Sequence, residues 1–253
     1  MIALSVNLNK IALIRNSRDT AVPSITEFAQ KFVSAGADGI TVHPRPDQRH
    51  IRVQDCIDLK NILKVEFNVE GNPFSEKKKS NRKGIADYPG FMELIRETKP
   101  TQCTLVPDSD HQLTSDHGFD LTIDRYRLIP IIEELKSLGV RTSLFMDPNP
   151  KQIEIAAEIG ADRVELYTES FARAFPDQNL VDLVFKSYQL AAEAASECGL
   201  GLNAGHDLNL ENLTKFCRLK NLLEVSIGHH LTVDALEMGL ENATKAYKKT
   251  LST

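Results

Sequence analysis

The chain has 253 residues and a mass of 28.2 kDa, enough for one large domain with a full core. Hydrophobic residues are 42% and charged residues 26%, which excludes disorder as the main state. The net charge of −5 and the absence of tryptophan argue against a general nucleic-acid binder, and no run of ~18 apolar residues predicts a membrane span.

Residues 1–15 carry Asn7, Asn9, Lys10 and Arg15, so they do not read as a signal peptide. Cys56, Cys103, Cys198 and Cys217 form no C-x-x-C pair. Reduced thiols in a cytoplasmic protein are expected rather than a disulfide scaffold or a zinc ribbon.

Short apolar runs alternate with amphipathic stretches. The runs are Ala3–Leu8, Gly39–Val42, Val65–Val69, Cys103–Val106, Thr142–Met146, Val164–Tyr167, Gly201–Ala204 and Leu223–Ile227. Each reads as a strand buried on both faces of a parallel sheet. Helical stripes run from about Leu180 to Cys198 and from Val233 to Tyr247, with Thr232 as N-cap of the second. The joints before strands repeat a glycine, at Gly36, Gly139, Gly160 and Gly199, where a left-handed residue ends a helix. About eight βα units fit the length. This predicts a (β/α)8 barrel over residues 1–253 as a single domain, since ~250 residues is typical of that fold. An open doubly wound sheet is the alternative, but no G-x-G-x-x-G follows the first strand. The polar, basic segment at about 71–90 interrupts the pattern. It reads as a solvated surface loop, or else as a lid over the barrel mouth.

Catalytic groups in such a barrel sit at the carboxyl ends of the strands. Those ends read Asn7, His43 with Arg45, Glu70, Asp147, Glu165 within its strand, Asn203-Ala204-Gly205-His206, and Gly228-His229-His230. Asp147 precedes Pro148 and is expected to turn the chain. Glu165 lies in an apolar strand, where an unpaired carboxylate is costly, so a function or a salt bridge is expected. Glu and His are the usual acids and bases near neutral pH; His43, Glu70, Glu165 and His206 are equally a donor set for a metal, and the spacing leaves both open. The run His43-Pro-Arg45-Pro-Asp-Gln-Arg49-His50, with Arg15 and Arg18 after the first strand, suggests anion capture. Gly205 and Gly228 would let backbone N–H groups approach a phosphate. The residues alone thus give a barrel enzyme for a phosphorylated small molecule.

The ordered set of motifs resembles the pyridoxine 5′-phosphate synthase family, the PdxJ type. Its carriers are Val6-Asn7-Leu8, Ile11-Ala12, Arg15-Asn16-Ser17-Arg18, Gly36 to His43, the H-x-R-x-D-x-R-H run, Asn68-Val69-Glu70, Glu97-Thr98-Lys99-Pro100, Leu105-Val106-Pro107, Val164-Glu165-Leu166, Asn203 to His206, and Ile227-Gly228-His229. The resemblance implies a barrel with extra helices, assembled as an octamer of dimers, with no metal or organic cofactor. It implies condensation of 1-deoxy-D-xylulose 5-phosphate with 3-amino-2-oxopropyl phosphate to pyridoxine 5′-phosphate. By the same resemblance Glu70 and His43 are proton acceptors, His206 a proton donor, and Glu165 a transition-state stabiliser. Arg45, His50 and Thr114 would hold the deoxyxylulose phosphate. Asn7, Arg18, the backbone of Asp207, Gly228 and His229 would hold the amino-ketone phosphate.

Three features depart from the family pattern. Asn9-Lys10 stands where the family often has Asp-His; both residues still suit a phosphate or hydroxyl. Asp207 replaces a glycine and brings a carboxylate near a phosphate. The stretch after Glu70 is longer. A metal-dependent barrel enzyme and a non-catalytic phosphate binder are the competing readings.

Overall fold

The computed structural model describes residues 1–18 and 20–252. Eight parallel strands close into a barrel in chain order: β1 (Ala3–Asn7), β2 (Gly39–Val42), β3 (Glu66–Gly71), β4 (Gln102–Leu105), β5 (Arg141–Met146), β6 (Arg163–Tyr167), β7 (Gly201–Gly205) and β8 (Leu222–Ile227). β1 pairs with both β2 and β8, which completes the ring. The helices are α1 (Asn9–Asn16), α2 (Ile25–Ser34), α3 (Val53–Ile62), α4 (Phe91–Thr98), α5 (Leu121–Ser137), α6 (Pro150–Glu158), α7 (Glu169–Ala174), α8 (Gln178–Glu197), α9 (Leu213–Phe216), α10 (His229–Met238) and α11 (Leu240–Thr250). The fold is therefore a (β/α)8 barrel with extra helices.

The joints act as the sequence suggests. Gly36, Gly139, Gly160 and Gly199 all have positive φ, from 72° to 111°, a region that costs a Cβ-bearing residue energy. The aspartates after two of these joints seal the neighbouring strand: Asp38 accepts from the Leu4 N–H at 2.7 Å, and Asp162 from the Thr142 N–H at 2.8 Å. Helix starts carry the expected caps. Ser24 accepts from the Glu27 N–H, and Asn149 precedes Pro150 in the first turn of α6.

Two expectations need correction. The stripe from Val233 to Tyr247 is two helices, not one. Gly239, at φ 87° and ψ 145°, breaks it, because that conformation cannot continue an α-helix. The first of the pair begins at His229, and Thr232 lies inside it, its hydroxyl donating to the Gly228 carbonyl at 2.8 Å.

The strands are also less uniformly apolar than they read. Outward residues such as Leu4, Ile40, Val69, Leu144, Val164 and Val225 pack under the helices and form the core. Most inward residues are polar and many bond across the lumen, Phe145 against His206 being an apolar exception. Asn203 on β7 donates to Gln102 on β4 at 3.3 Å, and Arg163 on β6 reaches Glu224 on β8 at 3.1 Å. Arg141 pairs with Glu66. Barrels of this type usually fill the lumen with Val, Ile and Leu; here cross-lumen hydrogen bonds satisfy part of the polar set, while Gln102 Nε2, Ser143 Oγ and Glu165 Oε1 are buried with no partner among the described residues.

Segment 71–90 is pinned to the barrel. Lys78 and Tyr88 exchange backbone hydrogen bonds at 2.9 Å in an isolated antiparallel bridge, and Tyr88 is fully buried. Gln48 donates to the Ala86 carbonyl at 2.7 Å. At its start, Gly71 faces α4, where a Cβ would lie 2.2 Å from the Phe91 ring. Gly71→Ala is therefore expected to cost ~1–3 kcal/mol by overpacking. Urea denaturation would show it, and an unchanged midpoint would mean that α4 yields freely.

Candidate active site

The site is a cavity of about 390 Å³ at the carboxyl ends of the strands. β1 and the start of α1 contribute Asn7, Asn9 and Lys10. The β2–α3 loop gives His43, Arg45, Arg49 and His50, and β3 gives Glu70. The turn after β7 adds His206 and Asp207, and the start of α10 adds Gly228, His229 and His230. Its remaining wall comes from Leu113, Thr114 and Ser115, in the β4–α5 connection. No residue of 71–90 lines the cavity; the β4–α5 connection does so instead, braced by Asn72, which donates to the Asp108 carbonyl at 2.8 Å.

At the centre, His43 Nδ1 lies 3.9 Å from Glu70 Oε2, and Asn7 Nδ2 donates to the same oxygen at 3.4 Å. Burial raises the Glu70 carboxyl well above its usual range, and the neighbouring Glu165 adds to the shift. Burial lowers His43 well below its ordinary value, with Arg45 and His50 acting in the same sense. Both directions favour the uncharged forms, so burial brings the two groups' proton affinities toward each other and suits the pair to exchange one proton. His50 is pushed down to about 3 by burial and then by Arg45. Its Nδ1 accepts from the Ile51 N–H at 2.9 Å, so the neutral ring carries its proton on Nε2.

His206 and Asp207 both adopt positive φ, 76° and 53°. Successive left-handed residues of this kind are strained and gather at functional sites. Thr168 holds the turn by donating its hydroxyl to the Gly205 carbonyl at 2.8 Å, and it also contacts the His206 carbonyl. The φ at 207 explains why a glycine suits that place and why aspartate, tolerant of this region, can replace it. Burial lowers His206 to about 4. Its Nδ1 is buried with no hydrogen-bond partner among the described residues.

Glu165 is 1% exposed and lies beneath the cavity rather than on its wall. Thr104 reaches it at 3.5 Å, and Oε1 has no partner among the described residues. Gly205 leaves room for it, since a Cβ there would lie 2.3 Å from Oε1. That glycine thus accommodates a carboxylate, not a phosphate as the sequence suggested. Burial raises Glu165 to about 7. A carboxyl with a raised folded-state pKa binds its proton more tightly than the unfolded chain does. Its contribution is present at low pH and lost as pH climbs from about 4.3 through 7. The buried histidines act oppositely, so the test is a difference. The stability of Glu165→Gln relative to wild type should rise between pH 5 and 8, and a flat difference in denaturation curves would refute the shift.

Asn7, Asn9 and Lys10 form the opposite wall. Asn7 Oδ1 accepts from the Asn9 N–H at 2.9 Å, and Asn9 Oδ1 accepts from the His43 N–H at 3.0 Å. Asn9 thus braces the end of β2 from the neighbouring β1–α1 turn. The N-termini of α1 and α10 both open here, beside the Lys10 ammonium, and exposed helix N–H groups with a cation favour a phosphate. Gly228 is required by proximity: a Cβ there would come 3.1 Å from that of Asn7.

Several expected groups fall elsewhere. Arg18 is exposed after α1 and does not line the cavity. Arg15 captures no ligand anion; it is buried and forks Asp55, with Nη2–Oδ2 at 2.9 Å. Asp147 is exposed and accepts from the Gly118 N–H at 3.3 Å, a turn role. Among the described residues, no group of three or more His, Cys, Asp or Glu is arranged to hold a metal ion. None of their helices is long and apolar enough to cross a membrane.

Asp108 escaped the sequence reading. It follows β4, is 5% exposed, pairs with Arg45, and lies 3.9 Å from His43 Nε2. Val106-Pro107-Asp108 obeys the same strand-end rule as the other sites.

A closed parallel barrel with buried carboxyl and imidazole groups beneath a cationic mouth defines an acid–base enzyme of the (β/α)8 class. Residues 4–253 match the family model described as pyridoxal phosphate biosynthesis protein PdxJ. The chain belongs to that family. It is 49% identical over 248 residues to the pyridoxine 5′-phosphate synthase of Xanthomonas axonopodis pv. citri, covering 96% of this chain and 94% of that protein. With the synthase of Christiangramia forsetii the identity is 48%, covering 99% of this chain and 100% of the relative. Among solved structures, 3-hexulose-6-phosphate synthase from Salmonella typhimurium superposes with a TM-score of 0.61 at 13% identity, covering 99% of this chain and 98% of that one. Phosphoribosyl anthranilate isomerase from Thermotoga maritima gives 0.56 at 12% identity, covering 100% and 99%. These two share the fold.

Proposed function

We propose that this chain is a pyridoxine 5′-phosphate synthase, condensing 1-deoxy-D-xylulose 5-phosphate with 3-amino-2-oxopropyl phosphate to pyridoxine 5′-phosphate, phosphate and water. The observation that carries the reading is the meeting of His43, Glu70 and His206 in one cavity with Lys10, Arg45, Arg49 and two helix N-termini. Membership of the family supplies the substrates.

Each substrate brings a phosphate. Arg45, His50 and Thr114 on one wall suit the deoxyxylulose phosphate. Asn7, Asn9, Lys10, the backbone at Asp207 and Gly228, and His229 on the other suit the amino-ketone phosphate. Arg18, exposed after α1, is the remaining candidate for this second phosphate. Two incoming anions raise the basicity of His43 and His206, so the imidazoles gain protons when substrates are bound. The amine attacks the ketone, and His206 delivers a proton to the departing water. The His43–Glu70 pair removes carbon-bound protons, which lets the phosphate of one substrate leave by elimination, and the protons so gathered go to the hydroxyl that departs as a second water when the ring closes and becomes aromatic. Glu165, below the floor, offsets positive charge developing on the imine nitrogen. No step calls on a metal or organic cofactor. Assembly as an octamer of dimers in the cytoplasm belongs to the same reading, as do partners limited to small phosphorylated molecules.

The test is turnover with both substrates after chelator treatment, following pyridoxine 5′-phosphate by absorbance and mass. Product without metal is the expected result. Both substrates bound but no product would instead indicate a phosphate-binding protein, and turnover restored only by divalent metal would indicate a metalloenzyme.

A further inference from the structure

Arg45 is the natural phosphate fork of this site, yet its guanidinium is already engaged. It pairs with Asp108, and its Nη1 donates to the carbonyls of Ser109 and Gln112 at 3.4 and 3.1 Å. Both side chains of the pair are at most 4% exposed. Ser115 donates to Asp108 Oδ2 at 2.8 Å, and Asn72 holds the Asp108 carbonyl at 2.8 Å. Asp108 Oδ1 is buried with no hydrogen-bond partner among the described residues. Arg49 extends the strap, donating to the carbonyls of Gln112 and Asp110, both at 2.9 Å. The loop that forms one wall of the cavity is thus fastened to the β2–α3 loop through the arginine a substrate phosphate would need.

We propose that Asp108 is the resident counter-anion of Arg45, and that an incoming phosphate takes its place on the guanidinium, so that the Arg45–Asp108 pair and a phosphate on Arg45 exclude each other while Thr114 stays at the site. Two anions cannot share one buried fork without strong repulsion. The dianion offers three acceptor oxygens and matches the planar fork bidentately. The carboxylate is already incompletely bonded at Oδ1, so it is the weaker occupant. Asp108 acts through Arg45 and is a positioning residue. The exchange deepens the synthase reading only in naming which phosphate arrives; the competition itself concerns any phosphate.

The experiment therefore uses inorganic phosphate, titrated calorimetrically into the wild-type protein and Asp108→Asn. The variant keeps the shape and removes the competing charge, and it should bind phosphate at least ~10-fold more tightly. A purely structural role predicts the reverse, since a loosened wall weakens binding. Equal or weaker affinity in the variant overturns the proposal. Should Asp108→Asn fail to fold, Ser115→Ala deprives the carboxylate of its hydroxyl donor and should tighten phosphate binding by roughly threefold; no tightening there also overturns it. Neither measurement needs turnover, so an inactive but phosphate-responsive protein would count against the synthase reading and leave the exchange standing.

Discussion

Replacing Glu70 by glutamine is expected to lower turnover by at least ~10²-fold, the usual worth of a positioned acid–base group. Glutamine keeps the size of the side chain and can still bond Asn7. It cannot take up or release a proton, so the pair it forms with His43 Nδ1, 3.9 Å away, loses its exchange partner. The loss should fall on kcat, because Glu70 is 3% exposed and the phosphate-binding groups are on other elements. Steady-state kinetics separates the cases. A kcat within a few-fold of wild type would remove Glu70 from the chemistry, and a rise in KM alone would make it a binding residue.

The second large effect lies outside the cavity wall. Arg15→Ala should destabilise the fold by about 3–5 kcal/mol, because it leaves the Asp55 carboxylate buried without its cation. For a chain of this size that lowers the thermal midpoint by roughly 6–20 °C. Arg15 forks Asp55 and also donates to the His50 carbonyl at 3.0 Å. Asp55 in turn accepts from the Arg52 N–H at 2.7 Å and so caps α3. Asn16 adds bonds to the carbonyls of Arg49 and His50 at 3.0 and 2.7 Å. Arg15 thus holds the loop that presents His50 and Arg49. Removing Asp55 as well should recover only part of the loss, since the cap disappears with it. A single-variant cost below 1 kcal/mol in calorimetry would show that water reaches the orphaned carboxylate.

Much of the barrel was legible because its signals are local. A glycine before a strand or a serine before a helix acts over a few residues, and the strand runs follow from burial of their outward faces. What was missed depends on contacts distant in sequence. Nothing near Arg15 tells that its partner is Asp55 rather than a ligand. The break at Gly239 was hidden because the apolar stripe continues through it. His43, His206 and His229, each just past a strand end, meet in one cavity because closure of the barrel brings strand ends together. Glu165 lies below the cavity because it is the middle residue of β6, two short of the strand's end, whereas Glu70 and Asn7 are at or next to the ends of theirs. Asp108 shows the converse: it lies three residues past the end of β4, and only its pairing with Arg45 marks it as part of the site.

The polar lumen separates two duties along each strand by parity. On β3, Phe67 and Val69 face the helices, while Glu66, Asn68 and Glu70 face inward. β6 repeats the scheme with Val164 and Leu166 against Arg163 and Glu165. One residue of displacement along a strand therefore changes which property a substitution touches. Adaptation can sharpen the hydrophobic shell for heat or cold without disturbing the proton-bearing column, and the column can drift toward new chemistry while the shell stands still. The chain carries two interleaved texts on one backbone, each editable with the other held fixed.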